Sequence, residues 1–156
     1  MSQPHALVPD HAPRAVTIAN PIVRGLARAG LPLGPNVLLT VRGRTSGLPR
    51  TFPVALMHAG DRLLVQSPYG EVQWVRNLRA DPAAEVARGR RRTPVRAVEL
   101  PPEIAGPLLR EATAPFMRNR LIAAFARLFI PIRPDAPAEA YVEHARRHPT
   151  FELVVR

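Results

Sequence analysis

Three short stretches carry the side chains able to do chemistry. The first is Gly43-Arg44-Thr45-Ser46-Gly47-Leu48-Pro49-Arg50. Two glycines four apart allow positive φ and a close approach of backbone to a ligand. Arg44 and Arg50 flank the hydroxyls of Thr45 and Ser46, Arg42 precedes them, and no carboxylate interrupts the run. Donors without acids make a cradle for phosphate or carboxylate. The stretch lacks the Gly-Lys-Ser/Thr of a P-loop and the G-x-G-x-x-G of a dinucleotide fold. An ordinary basic hairpin turn has the same composition, and both readings stay open on these residues.

The second stretch, Ser67-Pro68-Tyr69-Gly70, is a turn with two hydroxyls. The third is a short helix, Glu71 to Ala80, closed by Asp81-Pro82. Trp74, Asn77 and Leu78 stand at i, i+3 and i+4 and share one face. Trp74 and Leu78 read as core. Asn77 between them needs a hydrogen-bond partner, either a strand end or a polar ring system. Arg76 and Arg79 point the other way, to water.

Other candidates are weaker. Arg88-Gly89-Arg90-Arg91-Arg92 is strongly basic but has no interleaved aromatic for stacking, so it reads as a solvated hairpin tip and not a nucleic-acid patch. His5 and His11 lie in a Pro- and His-rich start, residues 1–13, expected to be a flexible tail. With no cysteine in the chain, disulfides and thiolate chemistry are excluded. No metal site is expected.

The elements that must position these stretches follow from pattern. The chain has 156 residues, enough for one core. Val37–Val41, Thr51–Met57, Arg62–Gln66, Ala84–Ala87, Thr93–Leu100 and Phe151–Val155 read as strands. Leu38 is apolar among the alternating Val37, Leu39 and Val41, so the first strand is expected to be buried on both faces. Pro53 cannot donate to a ladder and marks an edge or a bulge. Arg14 to Ala29 reads as an amphipathic helix. A helical region from Pro102 to about Phe129, divided by Pro107 and Pro115, carries an apolar face at Leu121, Ile122, Phe125, Leu128 and Phe129. Ala136–Arg147 reads as a short polar helix. Short connections and hairpins predict a mainly β, α+β chain: a split antiparallel barrel with an N-terminal helix and a helical insertion before the last strand. Residues 14–156 form its single domain.

The net charge is +10, and all 22 basic residues are Arg. Residues 36–100 hold eleven Arg against five acids, so the excess sits with the strands and turns. An anionic partner is implied: nucleic acid, a membrane surface or a small phosphorylated ligand.

LLTVRGRTSGLPRTFPVAL, then VQSPYG, then W-x-x-N-L-x-A-x-P, resemble the deazaflavin-dependent nitroreductases. The resemblance covers about residues 20–156 and is strongest over 37–82. It implies a split-barrel oxidoreductase that uses the deazaflavin coenzyme F420, with FMN as the lesser alternative. Arg42, Arg44, Thr45, Ser46 and Arg50 would hold the phosphate and polyglutamate tail. Pro53 would line the cofactor groove. Ser67, Trp74 and Asn77 would lie by the ring, with Asn77 on its polar edge. Ser67 and Tyr69 would be the nearest proton donors. Reduced F420 would give a hydride to a small apolar acceptor: a quinone, nitroaromatic or enone. Thr45 and Pro68 stand where many members have Lys, and the arginines replace that charge. A cytoplasmic location extending to the inner membrane face is expected. Peripheral membrane contact and a homodimer remain open, and no nucleic-acid partner is expected. A non-catalytic barrel binding a fatty acid, another lipid or a flavin is the alternative.

Overall fold

The computed structural model describes residues 36–118, 120, 132–133 and 135–156. The expected tail over residues 1–13, the N-terminal helix and the apolar face at Leu121–Phe129 lie outside them.

Six strands form a closed antiparallel barrel. They are β1 (Asn36–Arg42), β2 (Pro49–Ala59), β3 (Arg62–Gln66), β4 (Ala83–Arg88), β5 (Arg91–Glu99) and β6 (Thr150–Val155). Around the wall the order is β1-β2-β3-β6-β5-β4, with β4 returning to β1. Three helices are present among the described residues: α1 (Gln73–Ala80), α2 (Pro102–Met117) and α3 (Ala138–Arg147). The mainly β, α+β expectation holds.

Strand alternation builds the core. Val37, Leu39, Val41, Val54, Leu56, Val65, Val95, Phe151 and Leu153 fill one cluster, which Trp74, Val75 and Leu78 of α1 join. A second cluster lies between the outer face of β2 and β3 and the helices α2 and α3. It contains Met57, Ala59, Leu64, Leu109, Ala112 and Tyr141. Burial of each large side chain in these clusters contributes roughly 1.5–3 kcal/mol. As its run of apolar residues predicts, β1 is buried at Val37, Leu38, Leu39 and Val41.

Gly106 is where α2 and α3 meet. A Cβ there would lie 2.7 Å from both the backbone nitrogen and Cγ2 of Val142. Only glycine lets the two helices approach this closely.

One expectation is corrected here. Pro107 and Pro115 do not divide the helical region; both lie inside α2. Each frees the carbonyl four residues earlier, at Glu103 and Glu111. These residues are exposed, as are the prolines, so water satisfies the freed carbonyls.

Candidate functional site

Register gathers the candidate stretches at one end of the barrel. Arg42 pairs with Pro49 across the turn that joins β1 to β2. At the same end Val41 faces Ala84 near the start of β4, and Gln66 at the end of β3 faces Thr150 at the start of β6. The Gly43–Leu48 turn, the Ser67–Gly70 loop, α1 and the His148-Pro149 segment therefore share this end. The hairpin tips at Gly60 and Gly89 lie at the other.

The wall is incomplete at the candidate end. β2 pairs with β3 only through Leu56–Ala59. Toward the turn, Pro49–Ala55 keeps β1 on one side and has no strand among the described residues on the other. Pro53 sits in this open edge, paired with Leu38, where a missing donor costs the ladder nothing. Past Gln66 the chain leaves the wall as the Ser67–Gly70 loop. The opening is thus flanked by Arg50 and Pro53 on one side and by that loop on the other.

The Gly43–Leu48 turn is tight. Gly43 N donates to Leu48 O at 2.8 Å, and Gly47 N donates to Gly43 O at 2.8 Å. Gly47 has φ +68°, with open space where a Cβ would stand. Gly43 is needed for a different reason: its Cβ would lie 2.9 Å from Ser46 Oγ and 3.1 Å from Leu48 O. Arg44, Thr45, Ser46 and Arg50 are all exposed.

This turn is bonded to α1. Asn77 Oδ1 accepts from Arg44 N at 3.2 Å and from Arg44 Nη1 at 3.0 Å. Arg44 Nη1 also donates to Gln73 Oε1 at 2.8 Å. Both acceptors are neutral amides, so Arg44 is fixed while no carboxylate among the described residues pairs with it. Arg42 is exposed and meets Asp81 Oδ2 at 3.4 Å, a surface pair of small energetic weight. Arg50 has no carboxylate partner among the described residues.

The helix is held firmly. Trp74 packs on Phe151 with ring centroids 5.8 Å apart. Trp74 and Asn77 are buried. Arg79 is exposed, as expected, and there forks onto Glu99 at 2.8 and 2.7 Å and reaches Glu71 at 2.6 Å. These bonds raise the Arg79 pKa further above the ordinary arginine value.

Ser67 is fully buried, and its Oγ has no hydrogen-bond partner among the described residues. Its main chain is gripped from both sides: Ser67 N donates to Pro149 O at 3.0 Å, and His148 Nδ1 lies 3.2 Å from Ser67 O. Tyr69 is half-buried, and burial raises its pKa, so the phenol stays protonated.

Sequence reading missed the polar cluster behind Ser67. His144 is buried on α3, with Nε2 3.2 Å from Gln66 Oε1. Gln66 Nε2 donates to Thr150 Oγ1 at 3.2 Å, and Thr150 Oγ1 donates to His148 O at 3.2 Å. The His144 and His148 rings stack at 4.1 Å. Burial, then the neighbouring His148 and Arg147, lower the His144 pKa to about 4. Burial also lowers that of His148, against the opposing bond to Ser67 O. The available signal was a pair of histidines four apart on and just beyond one helix.

Of the expected site residues, Arg44 and Asn77 meet directly, Thr45 and Ser46 lie on the same turn as Arg44, and Arg42 and Arg50 border it. Ser67 and Tyr69 are on the loop across the opening from Pro53. Trp74 lies inside the barrel core.

The described residues thus present a barrel whose wall opens beside a basic turn bonded to α1. Residues 18–117 match the sequence model of a family described as F420H(2)-dependent quinone reductase. The match spans well over half of the chain, and the chain belongs to that family. It is an F420-dependent oxidoreductase, and its cofactor is coenzyme F420. The resemblance to nitroreductases therefore holds at the level of F420 chemistry, while the matching family is the quinone reductases. No curated protein matches the chain. Among solved structures, one described as an F420-H2 dependent reductase, FDR-A, is 21% identical, covers 76% of this chain and 93% of its own, and has a TM-score of 0.49. A protein of unknown function from Agrobacterium tumefaciens is 16% identical over 97% of this chain and 58% of its own, with a TM-score of 0.52. At that identity the second likeness speaks for the barrel alone. No helix among the described residues is long and apolar enough to cross a membrane.

Proposed function

We propose that this chain reduces a small, apolar, electron-poor acceptor with F420H2, a quinone first and nitroaromatics or activated enones after it. The observation that carries the proposal is Arg44, fixed by two neutral amides at the mouth of a split barrel wall and without a carboxylate partner among the described residues. An anionic tail needs cations that are positioned yet not neutralised. Arg44 satisfies both conditions, and the exposed Arg50 at the start of β2 adds a second cation with no carboxylate partner among the described residues. The turn amides and the exposed hydroxyls of Thr45 and Ser46 supply neutral donors.

The residues present fit F420. The buried Ser67 Oγ, beside the split, has no hydrogen-bond partner among the described residues, and a ligand with polar ring edges would supply that bond. Bound F420H2 supplies a hydride, which together with one proton converts a quinone to a hydroquinone.

The chain's own residues divide the remaining work. Arg42, Arg44, Thr45, Ser46 and Arg50 hold the tail. Pro53 lines the open edge of β2, and its ring presents an apolar wall without an N–H donor. Asn77 spends its carbonyl on Arg44 and so fixes the turn; any ring contact would fall to the amide nitrogen. Trp74 anchors α1 in the core and places Asn77. The Tyr69 phenol, kept protonated by burial, is the best-placed donor of a proton or hydrogen bond to the developing oxyanion, with Ser67 next to it.

Titration of the purified protein with F420, followed by calorimetry, tests this reading, with F420H2 oxidation by menadione measured alongside. Binding with turnover supports it. Binding without turnover, together with co-purified lipid, points to a carrier. A cytoplasmic location, contact with a membrane face and a homodimer belong to the same proposal. Each is open to direct test by fractionation, vesicle sedimentation and light scattering.

A further inference from the structure

We propose that His148 is a positioning residue for the reductase reaction: its Nδ1–H clamps the Ser67 carbonyl and fixes the Ser67–Gly70 loop beside the split. The inference rests on the function proposed above, because that reading places the loop by the cofactor.

The geometry is a two-sided grip. Ser67 N donates to Pro149 O at 3.0 Å, and Ser67 O lies 3.2 Å from His148 Nδ1. Consecutive residues thus hold both polar ends of Ser67. A carbonyl can only accept, so Nδ1 must carry the hydrogen. The imidazole is itself braced. His144 stacks on it at 4.1 Å. His144 Nε2 donates to Gln66 Oε1, Gln66 Nε2 to Thr150 Oγ1, and Thr150 Oγ1 to His148 O. This chain of donors runs one way and ends on the main chain of the residue that holds Ser67. It joins the end of β3, the end of α3 and the start of β6.

Such bracing matters because the Ser67 hydroxyl is buried and has no bond among the described residues. Nothing on the side chain itself sets the loop. The main chain of Ser67 does, and Tyr69 follows two residues later. A loop displaced by about 1 Å would misplace both hydroxyls, and misplacement on that scale costs up to about 100-fold in rate.

Two measurements test this. Nitrogen-15 spectra of the unmutated, ligand-free protein should show His148 neutral with its hydrogen on Nδ1. A hydrogen on Nε2 alone would overturn the clamp, whatever the protein does with F420. The second is kinetic, with F420H2 and menadione. His148→Asn keeps an N–H near the Nδ1 position and should retain kcat within about threefold, whereas His148→Gln and His148→Ala should lose about tenfold or more. F420 affinity should stay within about threefold in all three, because the tail is held at the separate arginine turn. Equal rates for the Asn and Gln variants would overturn the positioning role. Failure of the unmutated protein to bind F420 would overturn the proposed function and the catalytic consequence of the clamp. The imidazole spectrum would still decide the clamp itself, also where a variant does not fold.

Discussion

Asn77 Oδ1 accepts two hydrogen bonds from Arg44, one from its main-chain amide at 3.2 Å and one from its guanidinium at 3.0 Å. One buried amide oxygen thus sets both the backbone of the basic turn and the direction of its cation. The two residues are 33 positions apart and belong to a turn and a helix that share only this end of the barrel.

Asn77→Ala leaves both donors without their acceptor. Stability should fall by about 1–3 kcal/mol, read from urea unfolding. F420 affinity should fall as well, because Arg44 is no longer aimed. Asn77→Asp keeps the acceptor but pairs Arg44 with a charge, so it should retain more stability and yet still bind F420 more weakly. Equal affinity in Asn77→Asp and the unmutated protein would contradict the role of an uncompensated Arg44.

Arg44 and Arg50 should separate in their effects. Arg50→Ala should leave the melting temperature unchanged and weaken F420 binding, with a shallower salt dependence of affinity. Arg44→Ala should weaken binding and also lower stability, through its bonds to Gln73 and Asn77. A melting temperature for Arg44→Ala equal to that of Arg50→Ala would count against the bonded turn.

The two turn glycines should fail for different reasons. Gly47→Ala meets no neighbour but must hold φ +68°, which costs about 1–2 kcal/mol. Gly43→Ala drives a methyl against Ser46 Oγ and Leu48 O. It should distort the turn and reduce F420 affinity more than Gly47→Ala does. Calorimetry on the two variants gives that order or reverses it.

The buried His144 makes a pH prediction. Its folded pKa is lowered to about 4 from the ordinary 6.5, first by burial, then by His148 and Arg147. Between those values the unfolded chain binds a proton that the folded chain refuses. The stability contribution is therefore complete above about pH 6.5 and is lost as pH falls toward 4. Urea unfolding at pH 5 should show about 2 kcal/mol less stability than at pH 7 from this group. The groups facing it are Gln66 from β3, His148 before β6 and Arg147 on its own helix. His144→Phe should flatten the profile across this window, and an unchanged slope would contradict the assignment.

Much of the fold was legible because strand alternation has only one register that buries Val37, Leu39, Val41, Val54 and Val65 together. Pro53 announced its open edge for the same steric reason that places it there. The meeting of the glycine turn and the Trp74–Asn77 helix came from the family resemblance; the residues alone required only that Asn77 have a partner, at a strand end or on a polar ring system. That the partner would be Arg44, across the fold, was not in the local pattern.

The misses have physical causes as well. Pro107 and Pro115 look like breaks until both prolines and the carbonyls they free are seen to face water. Ala136–Arg147 reads as a short polar helix, which gives no reason to expect its Tyr141 and His144 to be buried. Gln66 and Thr150, which make burial of His144 affordable, come from distant strand ends and leave no trace in the local sequence.

The central claim is that the basic turn and the tryptophan helix together hold F420 at the split in the wall. Calorimetric titration of the full chain with F420, repeated on Arg50→Ala, tests it most directly. The account predicts saturable binding that the variant weakens about tenfold or more, the share of one charge-assisted contact of about 1.5–3 kcal/mol. Binding of equal strength in both proteins, or in neither, would contradict it.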